Sequence, residues 1–259
     1  MPPRPLRKAV LAVVVAALFA VAVPARAQDP GEPQLTCADI ALRCPDLRMR
    51  APFNLSTVRT PGGRTLLRAS NAILSLGRGP VVLLGNRQAG ARTMSVRQRI
   101  YTTTGRFITL HPAQAQIVFK HIPGQGGYWK FVNAARFELW SLGPGRQLLR
   151  TGPKLVYCFR DLQRLHPSAR SPRTRVFGGC NQNPRRRAVR LGTSVGWADV
   201  YPATYYQNYV DVTGLRGCFG LWQIADPTNL IAETDELNNA SRTLVHLRGG
   251  GRRPIVGRC

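Results

Sequence analysis

Apolar and polar positions in this chain alternate in short bursts. Runs of five to ten residues with period-two or continuous apolar character recur between Gly, Pro and Asn punctuation, the signature of strands. The pattern predicts strands over Thr65–Leu74, Pro80–Leu84, Ser95–Tyr101, Gln116–Lys120, Phe137–Leu142, Lys154–Phe159, Tyr209–Thr213, Phe219–Ala225 and Arg242–Leu247. Pro and Gly fall too often between them for long helices, and a short helix is expected only at Cys37–Leu42. Strands at this spacing predict an all-β fold, a β-sandwich with long loops. The polar, basic stretch Arg164–Arg190 is expected to be one such loop, and long loops on a sandwich are often functional. No internal repeat and no domain boundary stands out, so Gln28–Cys259 is expected to be a single domain with its core over about 45–248.

The N-terminus breaks the pattern. Arg4, Arg7 and Lys8 precede an unbroken apolar run from Ala9 to Val23, then Pro24 and Ala25-Arg26-Ala27. These are the basic, apolar and small-x-small parts of a signal peptide, residues 1–27. The run is shorter than the roughly 20 residues a spanning helix needs, and no later segment is apolar enough to span. A secreted protein, extracellular or in the cell envelope, is the expectation.

Export changes how the cysteines read. Cys37, Cys44, Cys158, Cys180, Cys218 and Cys259 all follow the leader, and an even count in an exported chain predicts three disulfides. Six cysteines allow 15 pairings. Proximity favours Cys37–Cys44 and Cys158–Cys180, which leaves Cys218–Cys259. The last would tie down the Gly- and Arg-rich tail Gly249–Arg258, otherwise expected to be disordered.

Charge changes the choice of partners. With 37 Lys and Arg against 12 Asp and Glu, the chain carries +25, and still +21 without the four basic residues of the leader. Such a surface favours anionic partners, cell-envelope polymers among them, although a mostly-Arg surface is also what a GC-rich genome produces. No motif for specific nucleic-acid recognition accompanies it.

Familiar chemistry is scarce. The four histidines, His111, His121, His166 and His246, form no H-x-H, H-x-x-x-H or H-E-x-x-H pair. No G-x-S-x-G elbow, P-loop or dinucleotide fingerprint occurs. One acidic spot does stand out: Asp226, Glu233, Asp235 and Glu236 lie within eleven residues, followed by Asn238 and Asn239. Carboxylate and amide oxygens at that density suit Ca²⁺. A turn in which Asp and Asn bond their own backbone has the same composition.

Four stretches in the C-terminal half, taken in order, resemble the lysyl oxidase family. They are Gly152-Pro-Lys154-Leu-Val-Tyr-Cys158-Phe-Arg-Asp161; Gly192-Thr-Ser194-Val-Gly196-Trp-Ala-Asp199-Val-Tyr201; Tyr209-Val-Asp211-Val-Thr213; and Asp226-Pro227 through Glu233-Thr-Asp235-Glu-Leu-Asn238-Asn239. Pro45-Asp46-Leu47, Ser70-Asn71 and Gly77-Arg-Gly79-Pro80 are similar to the opening of bacterial members. The resemblance implies a copper-dependent amine oxidase of the protein-lysine 6-oxidase type, which deaminates primary amines or lysine side chains with a lysine tyrosylquinone. Lys154 matches the family's quinone lysine, Tyr201 its tyrosine, and Asp199 an acid suited to general-base work. A structural Ca²⁺ is implied at Asp46, the Leu47 carbonyl, Glu233, Asp235, Asn238 and Asn239.

Copper is where the sequence departs from the family. A histidine triad of H-x-H-x-H type should precede a strand that is recognisable here as Phe131–Leu139. The preceding Gln125-Gly-Gly-Tyr-Trp-Lys130 holds no histidine, and Lys130 places a positive charge where a dication should sit. Two expectations follow: an oxidase, or a degenerate member that is a non-catalytic, calcium-stabilised cell-envelope module for anionic partners.

Overall fold

Alternation is clearest in Thr93–Thr102, whose side chains switch between buried and exposed along most of its length. Such a strand lies with one face on a core and one in water. In the computed structural model, which describes Cys37 and residues 39–259, eighteen strands and no helix form the fold, and every strand pairing is antiparallel. The signal peptide expected over residues 1–27 lies outside the described residues. No described helix is long and apolar enough to cross a membrane.

The strands make three sheets. The first runs Ala188–Thr193, Val81–Asn86, Thr93–Thr102, Gln116–Ile122, Gly126–Phe131, with Leu42–Arg43 and Phe107–Leu110 also paired to Thr93–Thr102. The second runs Gln163–Arg164, Trp197–Tyr201, Thr65–Ser75, Tyr209–Asp211, with Leu47–Met49 and Phe53–Arg59 also on Thr65–Ser75. The third runs Leu148–Thr151, Ala135–Trp140, Gly217–Ala225, Ala240–Leu247, Ile255–Val256. One apolar core joins them in a sandwich: Leu83 and Ile117 from the first sheet, Leu67 and Ile73 from the second, Phe137, Leu221 and Val245 from the third. Thr65–Ser75 is buried on both faces over most of its length, and it buries Ser70, Asn71 and Ser75 along with its apolar residues.

Three disulfides staple the sandwich: Cys37–Cys44, Cys158–Cys180 and Cys218–Cys259. All six cysteines are used, which points to an oxidising, extracellular-type environment. The long loop is held at Cys180; of the expected Arg164–Arg190, residues 165–187 are irregular, while Arg164 ends the strand Gln163–Arg164 and Ala188–Arg190 already belong to the strand Ala188–Thr193.

Three expectations are corrected. Cys37–Leu42 is not a helix. Asp39 turns the chain by accepting from the Ala41 and Leu42 amides, and Leu42–Arg43 then pairs with Tyr101–Thr102. Lys154–Phe159 is not a strand. Its one ladder contact is Tyr157 with Phe131, and Phe159 takes a positive φ of 51°. The tail is not disordered: Ile255–Val256 adds to Ala240–Leu247, and Thr57 Oγ1 donates to the carbonyls of Gly251 and Arg252. Period and composition missed the tail because its order comes from long-range pairing, not local preference. The strand expected through Phe131–Leu139 is instead the end of one strand and the start of another: a turn at Val132–Ala134 carries the chain from Gly126–Phe131 in the first sheet to Ala135–Trp140 in the third.

Candidate functional site

Tyr201 ends the strand Trp197–Tyr201 and pairs with Asn71 in the centre of the second sheet. Side chains two apart on a strand share a face, so Asp199 points the same way as Tyr201. Both are buried. The motif around them is structural in its first half. Ser194 donates through its hydroxyl and its amide to Asp161, which also accepts from the Val176 and Phe177 amides. Gly196 sits at φ +78°, and a Cβ there would run into the His166 carbonyl. These contacts pin the long loop to the strand that carries Asp199 and Tyr201.

Lys154 arrives from the irregular segment after the third sheet's edge. It is 0% exposed. Its Nζ lies 3.6 Å from the centre of the Tyr201 ring, 4.1 Å from that of Tyr205 and 4.2 Å from that of Tyr157. Its hydrogen bond goes to the Val156 carbonyl at 3.1 Å. Tyr157 and Tyr205 both meet Tyr201 edge-on, with ring centres 4.9 and 5.0 Å apart. Tyr157 is fixed in turn by donating to Asn71 Oδ1. The lysine therefore sits in a box of three tyrosine faces, which favour a cation. Burial and the nearby Lys130 ammonium outweigh that and push the Lys154 amine well below the ordinary lysine range.

Lys130 completes the cluster from the first sheet. Only 3% exposed, it donates to the Tyr201 hydroxyl at 3.3 Å. Burial lowers it to about 8, against the opposing pull of Asp199. Asp199 accepts from the Phe159 amide at 3.1 Å, and Arg160 Nε stands 3.8 Å from its other oxygen. Burial raises Asp199 to about 6, resisted by Arg160, Lys130 and Lys154. Burial and Asp199 raise the Tyr201 phenol well above its ordinary value.

The three sequence candidates Lys154, Tyr201 and Asp199 are thus brought together. Tyr157, Tyr205 and Arg160 belong to the same cluster and were not visible as site residues in the sequence. Nothing in their spacing marks them.

The copper that the resemblance implies does not fit these residues. Lys130 meets the Tyr201 hydroxyl, and Lys130, Tyr128, Gln125, Arg160, Tyr205 and Tyr201 line a small cavity with Ile122 and Cys180. Two cationic side chains and no imidazole are a poor donor set for Cu²⁺. Among the described residues no histidine joins a cluster of three ligand-bearing side chains.

The acidic spot is a second cluster. Asn238 Nδ2 donates to Asp46 at 2.9 Å and to Asp235 at 2.8 Å. Glu233 accepts from Asn239 Nδ2 at 2.9 Å and from the Leu47 amide. All six predicted calcium residues therefore form two linked groups, with Leu47 contributing its N–H to Glu233. Glu236 joins by accepting from the Glu233 amide, and Asp226 by its closeness to Glu233 and Glu236. Asp226 is committed to the Leu230 and Ile231 amides. Burial, with Glu236 and Asp226 nearby, raises Glu233 to about 9. Buried oxygens of Glu236, Asn238 and Asn239 have no partner among the described residues. Carboxylates held against their own repulsion, beside unpartnered amide oxygens, fit a hard divalent cation. Compared with known proteins, the chain matches no family model, and no curated protein matches it.

Proposed function

We propose that this chain is an exported, lysyl-oxidase-like β-sandwich that lacks a copper site: a non-catalytic, calcium-stabilised module for anionic cell-envelope polymers. The observation that carries the non-catalytic reading is the Lys130 ammonium 3.3 Å from the Tyr201 hydroxyl. A cation there repels a metal dication and supplies none of the imidazoles Cu²⁺ prefers. Calcium is supported by the raised Glu233 and the unpartnered oxygens beside it, and Glu233, Glu236, Asn238 and Asn239 are the residues that would hold it. Anionic partners are supported by the net charge of +25. Secretion is supported by the apolar leader and by three disulfides.

One observation favours a second reading, oxidative deamination of primary amines or protein lysines. Lys154 lies over the Tyr201 ring at 3.6 Å, the pair from which the family's quinone is built. The two readings separate in protein exported in the presence of copper. The non-catalytic reading expects calcium, no copper, no reaction with phenylhydrazine and an uncoupled Tyr201. Copper at one per chain with a Lys154–Tyr201 crosslink would sink it. Binding to an anionic polymer should weaken steeply with salt.

A further inference from the structure

The cavity at the Tyr201 hydroxyl is lined by an unusual set of donors. Lys130 reaches it buried, with a single hydrogen bond, to Tyr201, for the three its ammonium can make. Arg160 Nε is buried and has no hydrogen-bond partner among the described residues; it stands 3.8 Å from Asp199 Oδ1, which likewise has none. The Tyr205 hydroxyl, on a residue only 6% exposed, also has none. Tyr128 and Gln125 close the outer side, where the Tyr128 hydroxyl donates to the Gln125 carbonyl. The cavity measures about 60 Å³, enough for an ion of a few heavy atoms.

The local charge is positive. Lys130 and Arg160 face one carboxylate, Asp199, while Lys120 adds to the same potential. Asp199 already accepts the Phe159 amide and lies against Arg160, so one carboxylate serves two cations. A protonated primary amine would meet repulsion here. An oxyanion would meet an ammonium, a guanidinium N–H and a phenol O–H, and charge-assisted bonds of this kind are the strong ones.

We propose that the cavity at Tyr201 is a binding site for a small carboxylate of about acetate size, held by Lys130, Arg160 and the Tyr205 hydroxyl. This site uses the same Lys130 side chain as the proposed function but does not depend on the resemblance to lysyl oxidases. Copper analysis tests that function and carboxylate binding tests this site, so each can fail alone.

The titratable groups that face Lys130 set the pH behaviour. They are Asp199 from the strand ending in Tyr201, Arg160 and Lys154 from the irregular segment, Lys120 from the neighbouring strand, and Tyr128, Tyr201 and Tyr205. Lys130 loses its proton near pH 8, so an anion loses its main attraction as pH rises through that value. Asp199 gains a proton near pH 6, which removes the repelling carboxylate as pH falls.

Equilibrium dialysis of radiolabelled acetate against the folded, disulfide-bonded protein tests the site. The expected result is saturable binding at one per chain. Affinity should be about tenfold lower at pH 9 than at pH 7, as a group with a pKa near 8 passes from mostly charged to mostly neutral. Lys130→Met should reduce affinity by about tenfold or more, and Asp199→Asn should increase it. Lys130→Arg, which keeps the charge, should retain binding while an unchanged near-ultraviolet dichroism shows that the variants fold. Competition by formate but not by benzoate would support the size limit, and competition by phosphate alone would overturn the carboxylate assignment. Absence of saturable binding, or binding equal in wild type and a folded Lys130→Met, would overturn the proposal.

Discussion

Two buried polar clusters sit in this sandwich, and they are opposites in charge. Around Tyr201, two lysines and an arginine crowd one carboxylate among aromatic rings. Around Glu233, carboxylates and amide oxygens gather, and Arg48 meets them at the edge, pairing with Asp46 at 3.0 Å. Burying an uncompensated charge is costly in either sign. The first cluster answers by lowering its lysines and raising Asp199, so that its charges are partly neutralised from within. The second answers by holding Glu233 protonated up to about pH 9. A calcium ion would neutralise the second cluster from outside, whereas a copper ion would add positive charge to the first. The same physics thus argues for one metal and against the other.

The contrast is broken most forcefully by removing calcium. At about 100 times its Kd a ligand stabilises by roughly 2.7 kcal/mol, and a domain of this size shifts by about 2–4 °C per kcal/mol. Chelation should therefore lower Tm by roughly 5–10 °C, measured by calorimetry, while added copper should leave Tm unchanged. Equal Tm with and without chelator would remove the calcium half of the account.

Glu233→Gln sharpens the same point. Glu233 is raised in the folded state from 4.5 to about 9. Between those values the unfolded chain has lost the proton that the folded one keeps, so metal-free stability falls as pH rises through that window. Glu233→Gln should flatten the fall, gain on the order of 1–3 kcal/mol at neutral pH without metal, and no longer respond to calcium. Denaturant titrations across the window, with and without chelator, report all three.

Lys154→Met probes the cationic cluster with a smaller effect. The amine makes one hydrogen bond, to the Val156 carbonyl, and is otherwise surrounded by ring faces. An apolar side chain of similar length removes a buried polar group while filling its volume, which is often neutral or stabilising by about 1–4 kcal/mol. A loss of stability would instead show that the amine–ring contacts outweigh its desolvation.

The clusters also differ in how far the sequence revealed them. Density exposed the acidic one: four of the chain's twelve acids lie between Asp226 and Glu236. The folded chain then adds Asp46, from the link just before Leu47–Met49 and 192 residues away in sequence, through its bond to Asn238. Nothing local marks the cationic cluster. Lys130, Lys154 and Tyr205 come from elements other than the strand that carries Asp199 and Tyr201, and lysine and tyrosine are ordinary strand and loop residues. Resemblance to a family picked out Lys154, Asp199 and Tyr201, but Tyr157 and Tyr205 needed the three-dimensional box. For the fold, alternation exposed strands such as Thr93–Thr102. The tail strand Ile255–Val256 depends on a partner and on Cys218–Cys259, and no local pattern predicts it.

The central claim is that Lys130 stands where copper would have to bind, so that Lys154 and Tyr201 lie in contact without coupling. Intact-mass analysis combined with metal quantification, on protein exported in copper-supplemented medium, tests it most directly. The account predicts a mass that differs from the leader-free sequence only by three disulfides, with calcium present and copper absent. Stoichiometric copper together with a Lys154–Tyr201 crosslinked peptide would contradict it.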